Sequence, residues 1–210
     1  DNAPRFELRG YLEADGKRIY HEFVHGDDTT FPFVFDWDSD GLPDILMGDG
    51  DGYVTFYKNV GGKTSPKFTS RGKLQFATGK PLCVGEPTPE KVSDFEGHSG
   101  NRSVPAPGDY DGDGRTDLIC ANAAGDAFFY RNAGDGRFAP GVKIASGNNR
   151  GWTYPVDWNG DGKLDVILTW SGNPQTIRLN RGMGDNGAPK FDVIDIKGAP
   201  WIPHPRPLAI

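Results

Sequence analysis

Three copies of one acidic loop constrain this chain more than any other feature. Each copy has the pattern Asp-x-[Asp/Asn]-x-Asp-Gly-x-x-Asp and runs directly into a short apolar segment. We call them loop 1 (residues 36–44), loop 2 (residues 109–117) and loop 3 (residues 157–165), and number their places 1 to 9. A repeat of this kind predicts an array of similar structural units.

The segments after each loop have the pattern of antiparallel strands. An apolar run is followed by a turn and by an alternating segment that ends on Asn59, Asn132 or Asn180. A third element begins at Phe68, Phe138 and Phe191. Period-2 alternation between glycine clusters is typical of strands, and 30 glycines with 17 prolines suit a turn-rich chain. We therefore predict an all-β fold of about three four-stranded antiparallel sheets, arranged as β-propeller blades.

The predicted organisation is a single repeat domain over residues 1–210. Its blade-like repeats cover approximately residues 4–65, 66–137 and 138–190, and residues 191–210 begin a further blade. Closed propellers usually have four to eight blades. We therefore expect a larger propeller, built from further blades in a longer parent chain or from a homo-oligomer that completes the ring. A self-contained array of three units is the alternative.

The composition of the loops predicts calcium binding, with up to three ions. Calcium takes six to eight oxygen ligands, and glycine at place 6 permits the sharp turn that brings carboxylates together. The predicted ligands are the side chains at places 1, 3, 5 and 9 and the backbone carbonyl at place 7: Asp36, Asp38, Asp40, Leu42, Asp44; Asp109, Asp111, Asp113, Arg115, Asp117; Asp157, Asn159, Asp161, Lys163, Asp165.

Two other interpretations of the loops compete with a metal site. An EF-hand requires a glutamate at place 12, where this chain has Met47, Cys120 and Leu168. The other alternative is that aspartate and glycine simply form turns. Three copies of the loop, each followed by the same kind of apolar segment, favour a metal site.

These motifs resemble the FG-GAP repeat of integrin α-subunit propellers and, more closely, the bacterial VCBS repeats. The resemblance covers nearly the whole chain and implies one calcium ion in each loop. Asn159 departs from the carboxylate pattern and implies a weaker third site. Because such loops saturate only at high calcium, an extracellular, cell-surface or periplasmic location is expected.

The family contains adhesion receptors, lectins and propellers of polysaccharide-degrading enzymes, so function has to be argued from sites. The first hypothesis is a module that binds a glycan or a protein outside the cell. Its candidate ligand-binding residues are Trp152, Tyr154, Trp170 and Trp201, for which packing between sheets is the alternative. Trp37 and Trp158 repeat with the loops and are predicted to be structural.

The second hypothesis is the propeller portion of a polysaccharide lyase or another glycan-active enzyme. Lyase chemistry needs a base and a group that neutralises the substrate carboxylate. The candidates are Tyr20, His21, His98 and Arg102, the last two within an insertion over residues 83–103. A third possibility is a purely structural support domain.

Charge and cysteine content exclude several classes. The formal net charge of −6 argues against binding to nucleic acid or to anionic membranes. No apolar run is long enough to predict membrane insertion. Cys83 and Cys120 allow at most one disulfide, and Cys120 is predicted to be a buried free thiol.

Overall fold

A computed structural model describes residues 10–19, 30–85, 102–147, 150–170 and 175–196. These residues form strands, turns and bends without a helix, as the all-β prediction requires. Within them, no helix could cross a membrane. Four candidates from the sequence, Tyr20, His21, His98 and Trp201, lie outside the described residues.

Seventeen strands are described. They are β1 (Glu13–Ala14), β2 (Lys17–Arg18), β3 (Phe31–Phe35), β4 (Asp44–Gly48), β5 (Val54–Asn59), β6 (Phe68–Lys73), β7 (Gln75–Phe76), β8 (Val104–Gly108), β9 (Asp117–Ala121), β10 (Asp126–Tyr130), β11 (Asn132–Gly134), β12 (Arg137–Phe138), β13 (Val142–Ser146), β14 (Gly151–Val156), β15 (Asp165–Trp170), β16 (Thr176–Met183) and β17 (Pro189–Asp195).

Three antiparallel sheets repeat along the chain. Sheet I contains β3 to β6 in sequence order, sheet II contains β8, β9, β10 and β13, and sheet III contains β14 to β17. In each sheet an acidic loop connects the first strand to the second. The prediction of four-stranded antiparallel sheets is confirmed for sheets II and III, whereas the four strands of sheet I are extended to six by β1 and β2, and β7, β11 and β12 form a separate three-stranded sheet. These antiparallel sheets are compatible with propeller blades. Ring closure, blade number and the repeat bounds 4–65, 66–137 and 138–190 stay predictions.

The sheets pack face to face in the order I, II, III, and sheet II shows why. Alternate side chains of a strand point to opposite faces. Leu118 and Cys120 of β9 belong to a buried cluster with Leu46 and Val54 of sheet I. Ile119, between them, belongs to a second cluster that includes residues of sheet III. Sheet II is therefore buried on both faces.

The first strands of the three sheets lie side by side, since β8 contacts both β3 and β14. Side-chain hydrogen bonds reinforce these junctions. The Ser103 hydroxyl donates to the Tyr53 carbonyl (2.5 Å), and the Thr153 hydroxyl donates to the Val104 carbonyl (2.6 Å). Neighbouring units thus meet along their first strands.

Two short segments pair in parallel with a strand of a repeat unit in the same manner. Strand β7 pairs in parallel with β12, and the Ala77 N–H donates to the Phe138 carbonyl (2.9 Å). Strand β1 pairs in parallel with β6 of sheet I, and the Asp15 N–H donates to the Phe68 carbonyl (3.1 Å). Residues 11–19 therefore dock on sheet I as residues 73–82 dock beside sheet II.

Both cysteines are buried free thiols, so the prediction for Cys120 is confirmed. Burial raises the pKa of Cys83 to about 12 and also raises the pKa of Cys120.

The two-sided burial of sheet II predicts a large cost for truncating Ile119. Ile119→Ala should lower the free energy of unfolding by about 2–5 kcal/mol, because it leaves a cavity between sheets II and III. Urea denaturation at fixed calcium concentration measures this change. Val193→Ala, at an exposed position on β17, is the control and should change stability by about 0.5 kcal/mol or less. Equal effects of the two substitutions would contradict the layered core.

Candidate functional site

The aspartate at place 9 fastens each acidic loop to the sheet. One carboxylate oxygen accepts the N–H of the aromatic residue at place 2. The other accepts the N–H of Asn59, Asn132 or Asn180, which lies in the third strand of its sheet or two residues after it. The paired distances are 3.1 and 2.7 Å for Asp44, 3.2 and 2.8 Å for Asp117, and 2.9 and 2.7 Å for Asp165. All three carboxylates are fully buried. Each loop is thus held by one buried carboxylate.

Burial has an electrostatic effect on these carboxylates. It raises the pKa of Asp44, although two backbone N–H donors oppose the change. It raises the pKa of Asp117 to about 7, and the nearby carboxylates of Asp111 and Asp113 act in the same direction. A cation placed among these groups would favour their ionised forms.

The aspartate at place 1 forms the turn itself. In loop 1, Asp36 accepts the N–H groups of Asp40 (3.1 Å) and Gly41 (2.9 Å). Asp109 and Asp157 accept the corresponding N–H groups in loops 2 and 3. The glycine at place 6 has φ of +85°, +83° and +82° in the three loops. These left-handed values confirm the sequence-based reason for glycine there.

Two of the loops gather carboxylates in the way a metal ion requires. In loop 1, oxygens of Asp36, Asp38 and Asp40 lie within 4.8 Å of one another. In loop 2, the same limit holds for oxygens of Asp109, Asp111 and Asp117. Among the described residues these are the two such clusters. In loop 3 the Asn159 amide instead donates to the Asp161 carboxylate (3.1 Å).

Basic side chains lie against the carboxylates of loops 1 and 2. The Lys58 ammonium bridges Asp38 and Asp40, which raises its own pKa and lowers that of Asp40. The Arg131 guanidinium bridges Asp111 (2.6 Å) and Asp113 (3.1 Å). Sequence analysis missed both residues, although each directly precedes the asparagine that ends the repeat segment.

Loop 3 lacks a basic residue at that position, because Leu179 precedes Asn180. Lys163, within the loop, approaches Asp161 at 3.9 Å. The three loops therefore differ in how strongly a protein cation neutralises them.

The backbone N–H of each place-7 residue forms a hydrogen bond within the loop. The N–H groups of Leu42, Arg115 and Lys163 each donate to the place-5 aspartate at 2.9 Å. In loop 2 this bond and the charges of Arg115 and Arg131 outweigh burial and lower the pKa of Asp113. The predicted metal-ligand role of the place-7 carbonyls stays a prediction.

Three of the candidate aromatic residues lie within the described part of the chain, and they are buried or half-buried. Trp152 and Trp170 are buried, and the Trp170 indole donates to the Gly125 carbonyl of sheet II (2.6 Å). Tyr154 is half-buried. These contacts suit the packing role that the sequence analysis gave as the alternative.

Arg102 occupies a buried position between rings. Its guanidinium lies 4.1 Å from the ring centre of Phe31 and 5.0 Å from that of Trp152, and the residue is 2% exposed. Its predicted partner His98 falls outside the described residues. The catalytic role of Arg102 stays a prediction, but the side chain belongs to the contact between first strands.

A cavity beside loop 1 contains residues that sequence analysis did not select. It measures about 400 Å³ and lies between sheet I and the β11–β12 hairpin. Trp37 and Phe56 line it together with the basic side chains of Arg71, Lys73 and Arg137. Because these residues come from loop 1, sheet I and the β11–β12 hairpin, no local sequence pattern could have predicted the group.

Comparison with known families supports the presence of a repeat in this chain. The family model for the FG-GAP-like repeat matches residues 109–168, which contain loops 2 and 3. The predicted resemblance to FG-GAP repeats is therefore confirmed over that range, and the closer resemblance to VCBS repeats stays a prediction. No curated protein matches the chain. An FG-GAP-like repeat is typical of β-propeller-type modules.

The hydrogen bonds of the place-9 aspartate predict that two aspartates of loop 3 contribute very differently to stability. In calcium-free buffer, Asp165→Ala should lower the free energy of unfolding by roughly 2–5 kcal/mol, because it leaves two backbone donors without an acceptor. Asp161→Ala, at an exposed place, should cost about 1 kcal/mol or less because water replaces the lost bond. Chemical denaturation of both variants measures the difference. Similar losses would show that place 9 does not fasten the loop.

Proposed function

We propose that each acidic loop binds one calcium ion and that the chain is a calcium-stabilised β-propeller module for recognition outside the cell. The observation that carries the proposal is the convergence of carboxylates in loops 1 and 2, within 4.8 Å in each cluster. Carboxylate and carbonyl oxygens around a flexible loop suit calcium better than zinc, which prefers nitrogen and sulfur.

The ion would act first on stability. Clustered carboxylates repel one another, and a divalent cation converts that repulsion into attraction. The loops are partly exposed, whereas the place-9 carboxylates beneath them are buried. A calcium ion would therefore link the exposed turn to the buried fastening point, and its binding energy would add to folding stability.

The bridging basic residues set the expected strength of each site. For calcium to enter loop 1, the Lys58 ammonium has to leave Asp38 and Asp40, and Arg131 has to make a similar movement at loop 2. Loop 3 has no such residue on β16, but it supplies one neutral amide in place of a carboxylate. We therefore infer weak sites that fill at the high calcium concentrations found outside cells.

The ligand that we propose for recognition is an acidic glycan or an acidic protein segment. The cavity beside loop 1 supports this choice, since its three basic side chains outnumber its two acidic ones, Asp38 and Asp135, and the rings of Trp37 and Phe56 line it as well. Aromatic faces stack on sugar rings, and guanidinium groups bind carboxylates in a fixed geometry. The Arg137 guanidinium is already oriented by the Gln75 side chain (3.2 Å).

The lyase alternative has no comparable support among the described residues. Its proposed bases lie outside them, and Arg102 is enclosed by Phe31 and Trp152. The support-domain alternative shares the calcium sites but predicts no ligand at the cavity.

Exchanging Lys58 tests the calcium proposal directly. Lys58→Met should strengthen calcium binding at loop 1 by roughly three- to tenfold, because the ion no longer displaces an ammonium group. Asp36→Ala should abolish binding at that loop. Calorimetric titration, with the calcium-dependent rise in Tm as a second readout, measures both. Lys63→Met, an exposed substitution outside the loop, is the control. Unchanged affinity in Lys58→Met, or no calcium-dependent change in Tm, would overturn the proposal.

Removing the basic residues of the cavity tests the recognition proposal. The double variant Arg71→Ala with Arg137→Ala should bind a polyuronate about tenfold more weakly or worse, since a hydrogen bond to a charged group contributes about 1.5–3 kcal/mol. Retention on an immobilised polyuronate at several salt concentrations measures this. Arg181→Ala removes an exposed arginine of sheet III that pairs with Asp192 and should leave retention unchanged. Equal retention of all variants would favour the support-domain alternative.

A further inference from the structure

Loop 1 has a property that concerns both its calcium site and the cavity beside it. Asp38 belongs to the carboxylate cluster of loop 1 and also lines that cavity. Its side chain is 37% exposed, whereas the side chain of Asp111, at the same place in loop 2, is 2% exposed. A cation in loop 1 and a ligand in the cavity would therefore meet at one accessible carboxylate.

The charge of Asp38 opposes an acidic ligand as long as loop 1 holds no calcium. Among the residues that line the cavity it is one of two acidic side chains, the other being Asp135. The three carboxylates of the loop 1 cluster and the Lys58 ammonium together carry a formal charge of −2. A calcium ion bound to the cluster would cancel that charge at the edge of the cavity.

The Lys58 ammonium is the second group involved. It bonds to Asp38 and to Asp40 (2.8 Å), so it is held by oxygens that calcium needs. Side chains alternate along a strand, and Lys58 therefore lies on the same face of β5 as Phe56, which lines the cavity. An ammonium displaced by calcium stays beside the cavity, where it can pair with a carboxylate of the ligand.

Trp37 connects loop 1 to the hairpin on the other side of the cavity. Its N–H donates to Asp44 (3.1 Å), and its ring centre lies 6.2 Å from that of Phe138 in β12. The same hairpin supplies Arg137, whose guanidinium donates to the Gln75 side chain (3.2 Å). A calcium ion that orders loop 1 would thus also hold Trp37 in position for a ligand.

We propose that calcium in loop 1 and an acidic ligand in the cavity bind cooperatively, with Asp38 shared between them and Lys58 exchanging the loop for the ligand. This inference rests on the proposed function, which supplies both the ion and the acidic ligand. The double charge of the ion near a ligand carboxylate gives a coupling factor of about five to ten. The cavity therefore takes its ligand preferentially where calcium is abundant.

The affinity for a uronic-acid trisaccharide tests the coupling. This probe is too short for calcium to cross-link it into a gel. In calorimetric titrations, its Kd should fall about five- to tenfold between chelator and saturating calcium. Because coupling is reciprocal, saturating trisaccharide should strengthen calcium binding at loop 1 by the same factor. Equal trisaccharide affinity in calcium and in chelator, with both ligands binding separately, would overturn the coupling but not the proposed function.

Two matched variants locate the coupling in loop 1. Asp36 belongs to the loop 1 cluster but not to the residues that line the cavity. Asp36→Ala should therefore make the trisaccharide affinity independent of calcium. Asp157→Ala removes the corresponding aspartate of loop 3 and should retain the calcium dependence. Calcium dependence that survives in Asp36→Ala, or that is lost equally in Asp157→Ala, would show that calcium acts elsewhere and that the coupling is wrong.

Lys58→Met tests the exchange of partners. This variant should bind calcium at loop 1 more tightly, yet at saturating calcium it should bind the trisaccharide about two- to fivefold more weakly, because the displaced ammonium is missing. A lysine that only stabilised the loop would not shift the two affinities in opposite directions. Unchanged trisaccharide affinity in calcium would show that Lys58 does not pair with the ligand and would overturn the exchange.

Failure of the proposed function gives a different pattern. A wild-type chain that shows neither calcium binding nor a calcium-dependent change in Tm has no ion to couple. A chain that binds calcium but never binds the trisaccharide has no acidic ligand. Either result would overturn the proposed function and the coupling together.

Discussion

The buried aspartate at place 9 is the interaction on which the rest of the structure depends. In loop 3 its two oxygens accept one N–H from Trp158 at the start of the loop and one from Asn180 in the third strand of the sheet. A buried carboxylate without such donors would be strongly unfavourable. The same pair of hydrogen bonds in each unit therefore fixes the conformation of the loop and its position on the sheet. The turn and the carboxylate cluster depend on that position.

Sheet II is packed on both faces, and this packing joins the three repeat units of the described structure. Leu118 and Ile119 are neighbours in sequence, but they enter different clusters because strand side chains alternate. The central sheet thus joins its neighbours without any helix between layers.

The acidic loops combine two kinds of neutralisation. Backbone N–H groups satisfy the carboxylates at places 1 and 9, whereas Lys58 and Arg131 lie against the carboxylates at places 3 and 5. A basic side chain and a calcium ion make similar demands on the same oxygens. In the proposed function, the calcium ion would replace the basic side chain at places 3 and 5, while the backbone donors keep the rest of the loop in place.

The sequence by itself determined the features that depend on local chemistry: the three loops, the turn at each place-6 glycine and the strands beside them. Both signals are local: side chains alternate over a few residues of a strand, and a sharp turn requires one residue with a left-handed backbone conformation. Only the tertiary structure decided which aromatic residues are buried, so that Trp170 packs inside while Trp158 is exposed. It also placed Lys58 on the carboxylates of loop 1 and enclosed Arg102 between two rings. These outcomes depend on residues far apart in the chain, and their distances are set by how whole sheets pack rather than by any local pattern.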